Sequence, residues 1–218
     1  MQVPAEHFLR DVLIEGMHAS DIVVGTDCSF GHKAQGNAEM LLSLQEKYDY
    51  TAHVIKKRQV YDKDGNAREI SSTFIREEIQ SGNVKHAAEL LGRHVALSGV
   101  VVYGNQIGST VLGFPTANIM PKAGKIIPMP GVYITRVLIG QTLYKGMTNI
   151  GTNPTVGDDN PIDVETHIIG FHGDLYGKKI RVEFIERLRD QQKFPSLDAL
   201  KEQLQKDVLA ASSYPMDL

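Results

Sequence analysis

The sequence GNQIGSTVLGFPTAN, which begins at Gly104, combines the residue types that a phosphate-binding site needs. Glycines at Gly104, Gly108 and Gly113 permit positive φ angles and let backbone N–H groups approach an anion closely. Thr116 and Asn118 stand two residues apart, so in an extended segment both side chains point to one side. Their hydroxyl and amide oxygens are hard ligands suited to Mg²⁺ and phosphate. These residues therefore predict a phosphoryl-transfer site.

This glycine-rich run matches neither of the two standard nucleotide-binding loops. No Gly-Lys-Ser or Gly-Lys-Thr follows it, as a Walker A loop requires, and its spacing is not the GxGxxG of dinucleotide-binding proteins. It follows an apolar run, Val100–Tyr103, that is typical of a strand. Because a glycine-rich run after a strand is also typical of a hairpin turn, the residues alone leave both interpretations open.

The elements before about Arg93 alternate between helix and strand. Apolar residues recur at helical spacing after Glu6, and Asn37 and Ser71 or Ser72 are suited to cap further helices. The predicted strands are 21–25 and 51–55. Strands that alternate with helices favour a parallel sheet.

From His94 onwards, strands follow one another with Gly, Pro and Asn turns between them. The predicted strands are Val95–Tyr103, Val132–Ile139, Leu143–Thr148, Val164–Phe171 and Lys179–Ile185. Successive strands without intervening helices favour an antiparallel barrel. A last helix, with Ser196 as its predicted cap, carries an apolar stripe and closes the chain.

Composition excludes several classes of protein. The 218 residues are 42% hydrophobic with a net charge of −3, which fits one large or two small globular domains. No apolar run is long enough to span a bilayer, and the N-terminal residues lack the pattern of a signal peptide. A single cysteine, Cys28, excludes an internal disulfide and fits the cytoplasm. The slight acidity argues against nucleic acid as the main partner, and we expect neither a nucleic-acid nor a membrane partner.

The segment GFPTANI (113–119) resembles the signature of riboflavin kinase, as found in the bacterial bifunctional riboflavin kinase/FAD synthetase family. Other segments resemble the family in the same order: 131–137, 144–156, 164–177, 182–194 and 196–207. Upstream, 23–31 and 70–76 resemble the family's adenylyltransferase domain. The resemblance implies an α/β part followed by an all-β part. The first is a partial Rossmann-like nucleotidyltransferase domain (1–92), and the second a six-stranded antiparallel riboflavin kinase barrel with a C-terminal helix (93–218).

The resemblance also implies roles for particular residues. Glu165, in VETHI, matches the catalytic base, and period two places it on the strand face of His167, although a strand glutamate facing solvent is the plainer interpretation. Thr116 and Asn118 match the ligands of Mg²⁺ and phosphate, beside the glycines that would bind ATP. Arg189 matches an arginine on the loop over the flavin, where a guanidinium can stack or pair with phosphate.

The adenylyltransferase part of the resemblance is less complete. The residues that match its nucleotide-binding motifs are Asp27, Gly31, Ser71, Ser72, Thr73 and Arg76. The family's N-terminal phosphate-loop segment has no counterpart here, and Phe74 stands where arginine is frequent. We therefore expect little adenylyl transfer from this chain alone. An incomplete first domain would leave an unpaired strand edge that favours self-association.

The sequence thus predicts an ATP- and Mg²⁺-dependent enzyme that phosphorylates riboflavin to FMN. Two alternatives stay open at this stage. In one, the intact family protein also converts FMN to FAD and this chain is a piece of it. In the other, the chain is a flavin- or nucleotide-binding protein that has lost catalysis. The loop before Thr116 would favour this, because Gly108–Gly113 is one residue longer than the family's segment and lacks its arginine.

Overall fold

A computed structural model describes residues 2–61, 65–103, 116–122, 124–152 and 162–216. Contacts among these residues divide the chain into two units, Met1–Ile70 and Ser71–Leu218. This division concerns packing, and the division of family domains between residues 92 and 93 stays a prediction. The part of the chain that is described contains no helix long and apolar enough to cross a membrane.

The first unit alternates helix and strand, as predicted. Its elements are α1 (α-helical over Ala5–His7 and π-helical over Phe8–Gly16), β1 (Asp21–Gly25), α2 (Ala38–Tyr48), β2 (Thr51–Ile55), β3 (Gln59–Tyr61) and β4 (Ala67–Glu69). The strands β1 and β2 pair in parallel, which confirms the predicted parallel arrangement. The antiparallel β3–β4 hairpin was not predicted, because its strands are too short to show a pattern.

The core of the first unit lies on one face of the parallel pair. Leu9 of α1 and Leu41 of α2 are buried there with Tyr50. The predicted cap of α2 is confirmed, since the Asn37 side chain accepts a hydrogen bond from the backbone N–H of Met40 at 2.9 Å. On the opposite face of the pair, Val23 is 66% exposed. Self-association through this unit stays a prediction.

The second unit consists of two helices, a barrel and a last helix. Its elements are α3 (Ser72–Gln80), α4 (Val84–Leu91), β5 (Val95–Val102), β6 (Thr116–Pro121), β7 (Gly131–Ile139), β8 (Thr142–Thr152), β9 (Ile162–Ile168), β10 (Lys179–Arg189) and α5 (Leu197–Ser213). The six strands close into a barrel in the order β10-β5-β6-β9-β8-β7, with all pairs antiparallel. The predicted six-stranded barrel with a C-terminal helix is therefore confirmed.

Alternation along each strand sends one side chain in two to the barrel interior. The interior of β9 receives Val164, Thr166 and Ile168, all of which are buried. The Thr166 hydroxyl lies 2.9 Å from that of Thr148, which in turn lies 2.9 Å from that of Thr135. This chain of hydroxyls satisfies the polar groups that the interior encloses. The side chains between these positions face outward, and on β9 and its neighbours they form the candidate site.

Several predicted strand boundaries differ from the structure. The last strand, predicted to end at Ile185, continues to Arg189, because register shifts after Phe184 and Arg187 break the alternation that marks a strand. The strand predicted to reach Phe171 ends at Ile168, and Gly170, at φ 74°, lies in the turn that follows. By contrast Ser71 and Ser196 cap α3 and α5 with side-chain hydrogen bonds, as expected.

Candidate active site

Three neighbouring strands bring three polar side chains into one row on the outside of the barrel. Glu165 of β9 lies opposite Asn118 of β6 and opposite Asn149 of β8. Neighbouring strands are about 4.8 Å apart, so the three side chains are within reach of one another or of one small ligand. Thr116 lies two residues before Asn118 on β6, on the same face of the strand and opposite His167.

Glu165 is the predicted base, and its surroundings suit that role. The Thr116 hydroxyl donates a hydrogen bond of 2.5 Å to Glu165 Oε1. Burial is the main cause that raises the pKa of the Glu165 carboxyl, and the nearby charge of Asp163 raises it further. The hydrogen bond from Thr116 acts in the opposite direction and lowers this pKa. A carboxylate with a raised pKa accepts a proton more readily near neutral pH than an exposed one does.

Asn118 carries a buried acceptor that no described residue satisfies. Its side chain is only 6% exposed, and Oδ1 has no hydrogen-bond partner among the described residues. An unmet buried acceptor typically costs about 1–3 kcal/mol, so a ligand that supplies a donor or a cation would recover that cost. The oxygens of Asn118 and Thr116 therefore fit a bound Mg²⁺.

A metal site with many protein ligands is not present in the described part of the chain. No group of three or more His, Cys, Asp or Glu side chains there could hold an ion. Mg²⁺ commonly takes only one or two protein ligands and completes its shell with phosphate oxygens and water. The predicted glycines of the phosphate loop, Gly104, Gly108 and Gly113, lie outside the described residues.

A second row beside Glu165 contains residues that the sequence analysis missed. Asp163 precedes Glu165 by two positions on the same face of β9 and lies opposite Gly151 of β8. A Cβ atom added to Gly151 would come 2.4 Å from Nε2 of Gln191, so the Gln191 amide lies against the bare glycine. The same Nε2 is 3.4 Å from Oδ1 of Asn149. Period two in β9 is the signal that could have identified Asp163, whereas nothing local in the sequence indicates Gln191.

Arg189, the predicted flavin-binding residue, makes an ion pair at the end of β10. Its Nη2 and Nε donate to Asp207 Oδ2 of α5 at 2.7 and 3.0 Å, and the Asp207 side chain is 3% exposed. Nη1 donates to the backbone carbonyl of Asp190 at 3.0 Å, and the guanidinium lies 5.8 Å from the centre of the Phe194 ring. These contacts fix the start of the segment that carries Gln191. A role in flavin binding stays a prediction.

In the first unit, two residues match the adenylyltransferase motifs. Asp27 is exposed and pairs with Lys57 at 2.8 Å; this hydrogen bond is the main cause that lowers the pKa of the Asp27 carboxyl. Lys57 also contacts Glu69 at 3.3 Å. Gly31 has φ 74°, and a Cβ there would lie 2.5 Å from Cα of Ala5. This glycine is therefore required by packing, whatever it contributes to a ligand.

Replacing Gly31 by Ala is expected to destabilise the first unit by roughly 2–4 kcal/mol, because backbone strain and a clash with Ala5 act together. Gly65→Ala is the matched control, since Gly65 has φ 80° but open space around its Cβ position. Hydrogen exchange at the Leu41 amide in α2 measures the loss of stability of the first unit in both variants. Equal losses of protection in the two variants would contradict the packing argument.

The remaining adenylyltransferase matches lie around the start of α3. Ser71 accepts a hydrogen bond from the Phe74 backbone N–H at 3.2 Å, while Ser72, Thr73 and Arg76 are exposed. Phe74, which replaces a frequent arginine of the family, is 3% exposed and makes an edge-to-face contact with His86. At this position the structure therefore has a core aromatic residue and no cation for phosphate.

Comparison with known proteins gives two family matches along the chain. A family model described as riboflavin kinase matches residues 91–214, and one described as FAD synthetase matches residues 1–74. Among curated proteins, the bifunctional riboflavin kinase/FMN adenylyltransferases of Haemophilus influenzae and Escherichia coli K12 are 34% and 36% identical over 211 residues. The matches cover 96% of this chain but 66% and 65% of those proteins, so the chain spans just under two thirds of their length.

A solved structure shares the same arrangement of elements. A Streptococcus pneumoniae protein, described as a macrolide-efflux protein, superposes with a TM-score of 0.84 at 35% identity. The superposition covers 98% of this chain and 66% of that one. This similarity supports the fold of both parts of the chain.

Proposed function

Because the chain belongs to the bifunctional riboflavin kinase/FAD synthetase family, we propose that it is a riboflavin kinase that makes FMN from riboflavin and ATP. The observation that carries the proposal is the contact of Thr116 with Glu165 beside the unsatisfied Oδ1 of Asn118. Together they supply a base and two oxygen donors in one small area. In this proposal the kinase domain spans residues 93–218.

In the proposed reaction, Glu165 accepts the proton of the primary hydroxyl of riboflavin. The hydroxyl oxygen forms a bond to the γ-phosphorus of ATP, and the bond from that phosphorus to the bridging oxygen breaks, so that ADP leaves. Mg²⁺, held by Thr116 and Asn118, would neutralise charge on the phosphates. Such transfers depend mostly on positioning and on charge stabilisation, for which rigid strands are well suited.

Thr116 has two functions in this arrangement. Its hydroxyl hydrogen points to Glu165, which orients the carboxylate, and its oxygen lone pairs remain available to a cation. Because β6 and β9 are paired directly at these positions, the relative placement of Thr116 and Glu165 does not depend on a loop. The base and the metal ligands would therefore stay aligned through the reaction.

The experiment that tests the proposal is an incubation of the purified chain with riboflavin and Mg·ATP, followed by chromatographic separation of flavins. We expect FMN, and no FMN when a chelator removes Mg²⁺. Formation of FAD as well would show that adenylyl transfer persists in spite of Phe74. Riboflavin binding without turnover would overturn the kinase proposal and favour a flavin-binding protein.

Asn118→Ala is expected to raise the KM for Mg·ATP about tenfold while the KM for riboflavin changes little, because it removes an oxygen proposed to bind the metal. The Mg²⁺ concentration for half-maximal activity should rise in parallel. Asn83→Ala is the control, since the Asn83 side chain is exposed and donates a hydrogen bond to the Ser81 hydroxyl at 3.3 Å. An unchanged Mg²⁺ dependence in Asn118→Ala would remove Asn118 from the metal site.

A further inference from the structure

The bare backbone of Gly151 is surrounded by polar groups that the proposed kinase reaction does not use. Asp163 lies opposite it on β9, Asn149 lies two positions before it on β8, and the Gln191 amide lies directly on it. Glu165 occupies the neighbouring row of the same face. The rows of Asp163 and Glu165 are two residues apart on β9 and therefore roughly 6.6 Å apart. A ligand with a chain of several carbon atoms is long enough to contact both rows.

Asp163 is a half-buried carboxylate that accepts a hydrogen bond from the Val164 backbone N–H and from no side chain of the described residues. Burial raises the pKa of its carboxyl, and only the backbone N–H of Val164 offsets this. The described residues bring no cation to it. A carboxylate accepts several hydrogen bonds, and a partly desolvated one binds hydroxyl donors strongly.

Gln191 owes its place to the contacts of the two preceding arginines. Arg189 is held by Asp207, and Arg187 donates to the carbonyl of Pro130 at 2.8 Å and to Asp190 Oδ1 at 2.7 Å. These contacts fix the start of the 190–195 segment. The amides of Gln191 and Asn149 each offer a donor and an acceptor, which suits groups such as hydroxyls that also do both.

We propose that Asp163, Asn149 and Gln191 form a subsite that binds the hydroxyl-bearing chain of the phosphoryl acceptor, with Gly151 as its floor. The proposal rests on the kinase function proposed above, because the subsite is useful only if Glu165 receives a hydroxyl of that chain. A polyol bound over Gly151 extends along β9 towards Glu165, so its terminal hydroxyl meets the base. Glycine at position 151 leaves the space that the Gln191 amide occupies, which sets the amide beside the polyol.

The test compares riboflavin binding, followed by flavin fluorescence, in the wild type, Asp163→Asn and Gln191→Ala. We expect Kd to rise about tenfold or more in Asp163→Asn and severalfold in Gln191→Ala, while the KM for Mg·ATP is unchanged. A riboflavin analogue that lacks a hydroxyl of the ribityl chain should bind wild type more weakly than riboflavin, and Asp163→Asn should largely abolish this preference. Loss of preference is a result that mere destabilisation would not produce.

The controls are Asp198→Asn, in the exposed first turn of α5, and Gln192→Ala, at an exposed neighbour of Gln191. Both control variants should match the wild type in riboflavin Kd and in preference for riboflavin over the analogue. Gln191 is itself exposed, so its variant remains informative even if Asp163→Asn fails to fold. The subsite alone is overturned if the wild type phosphorylates riboflavin but both variants equal it in riboflavin affinity and in preference for riboflavin over the analogue. The two variants in question are Asp163→Asn and Gln191→Ala. A wild type that does not phosphorylate riboflavin overturns the proposed function, on which the subsite rests.

Discussion

Glu165→Gln is expected to lower kcat by a factor of ~10²–10⁴, equivalent to about 3–5 kcal/mol in the activation barrier. The amide keeps the size of the side chain and its contact with the Thr116 hydroxyl, but it cannot accept the substrate proton. Because the ligands of the proposed metal are untouched, Kd for riboflavin and for Mg·ATP should stay within about threefold of wild type. Rapid-quench measurement of FMN formation gives the chemical step directly.

The matched control for this variant is Glu202→Gln, which alters an exposed glutamate of α5 that pairs with Lys206 at 2.7 Å. It should leave kcat unchanged, because exposed ion pairs contribute little. In the wild type, kcat should fall as the pH drops through the raised pKa of Glu165, above the range where an exposed glutamate titrates. A kcat for Glu165→Gln within threefold of wild type would exclude Glu165 as the base.

Asp207→Ala is expected to destabilise the second unit by roughly 3–5 kcal/mol, because it leaves the half-buried guanidinium of Arg189 without its carboxylate. It also removes the acceptor of Gln203, whose Nε2 donates to Asp207 Oδ1 at 2.8 Å. The expected fall in Tm is roughly 6–20 °C for a unit of this size. Differential scanning calorimetry of the whole chain measures it as a shift of one transition.

Two further variants test the cause of that loss. Glu202→Ala on the same helix breaks an exposed pair and should change the free energy of unfolding by less than about 1 kcal/mol. Arg189→Met, which removes the charge that Asp207 balances but keeps the length of the side chain, should make a second change at Asp207 less costly than it is in wild type. Additive effects of the two substitutions would show that the ion pair is not what stabilises α5 on the barrel.

The sequence alone was sufficient for most of the secondary structure and for the order of the two folds. Alternating apolar residues predicted the barrel strands, and side-chain caps predicted the starts of several helices, since Asn37, Ser71 and Ser196 make the expected hydrogen bonds. These signals are local: each depends on residues within a few positions of one another. The bulged end of β10 was missed for the same reason, because a bulge interrupts the local period.

The sequence also placed Thr116, Asn118 and Glu165 among the candidate site residues, through motif resemblance and strand period, but it could not place them next to one another. Thr116 and Glu165 are 49 residues apart, and their contact exists because β6 and β9 pair in one particular register. The position of Gln191 over Gly151 and the ion pair of Arg189 with Asp207 likewise became visible only in the folded barrel. Register between distant strands is selected by which faces are buried when the whole barrel closes, and no single segment contains that information.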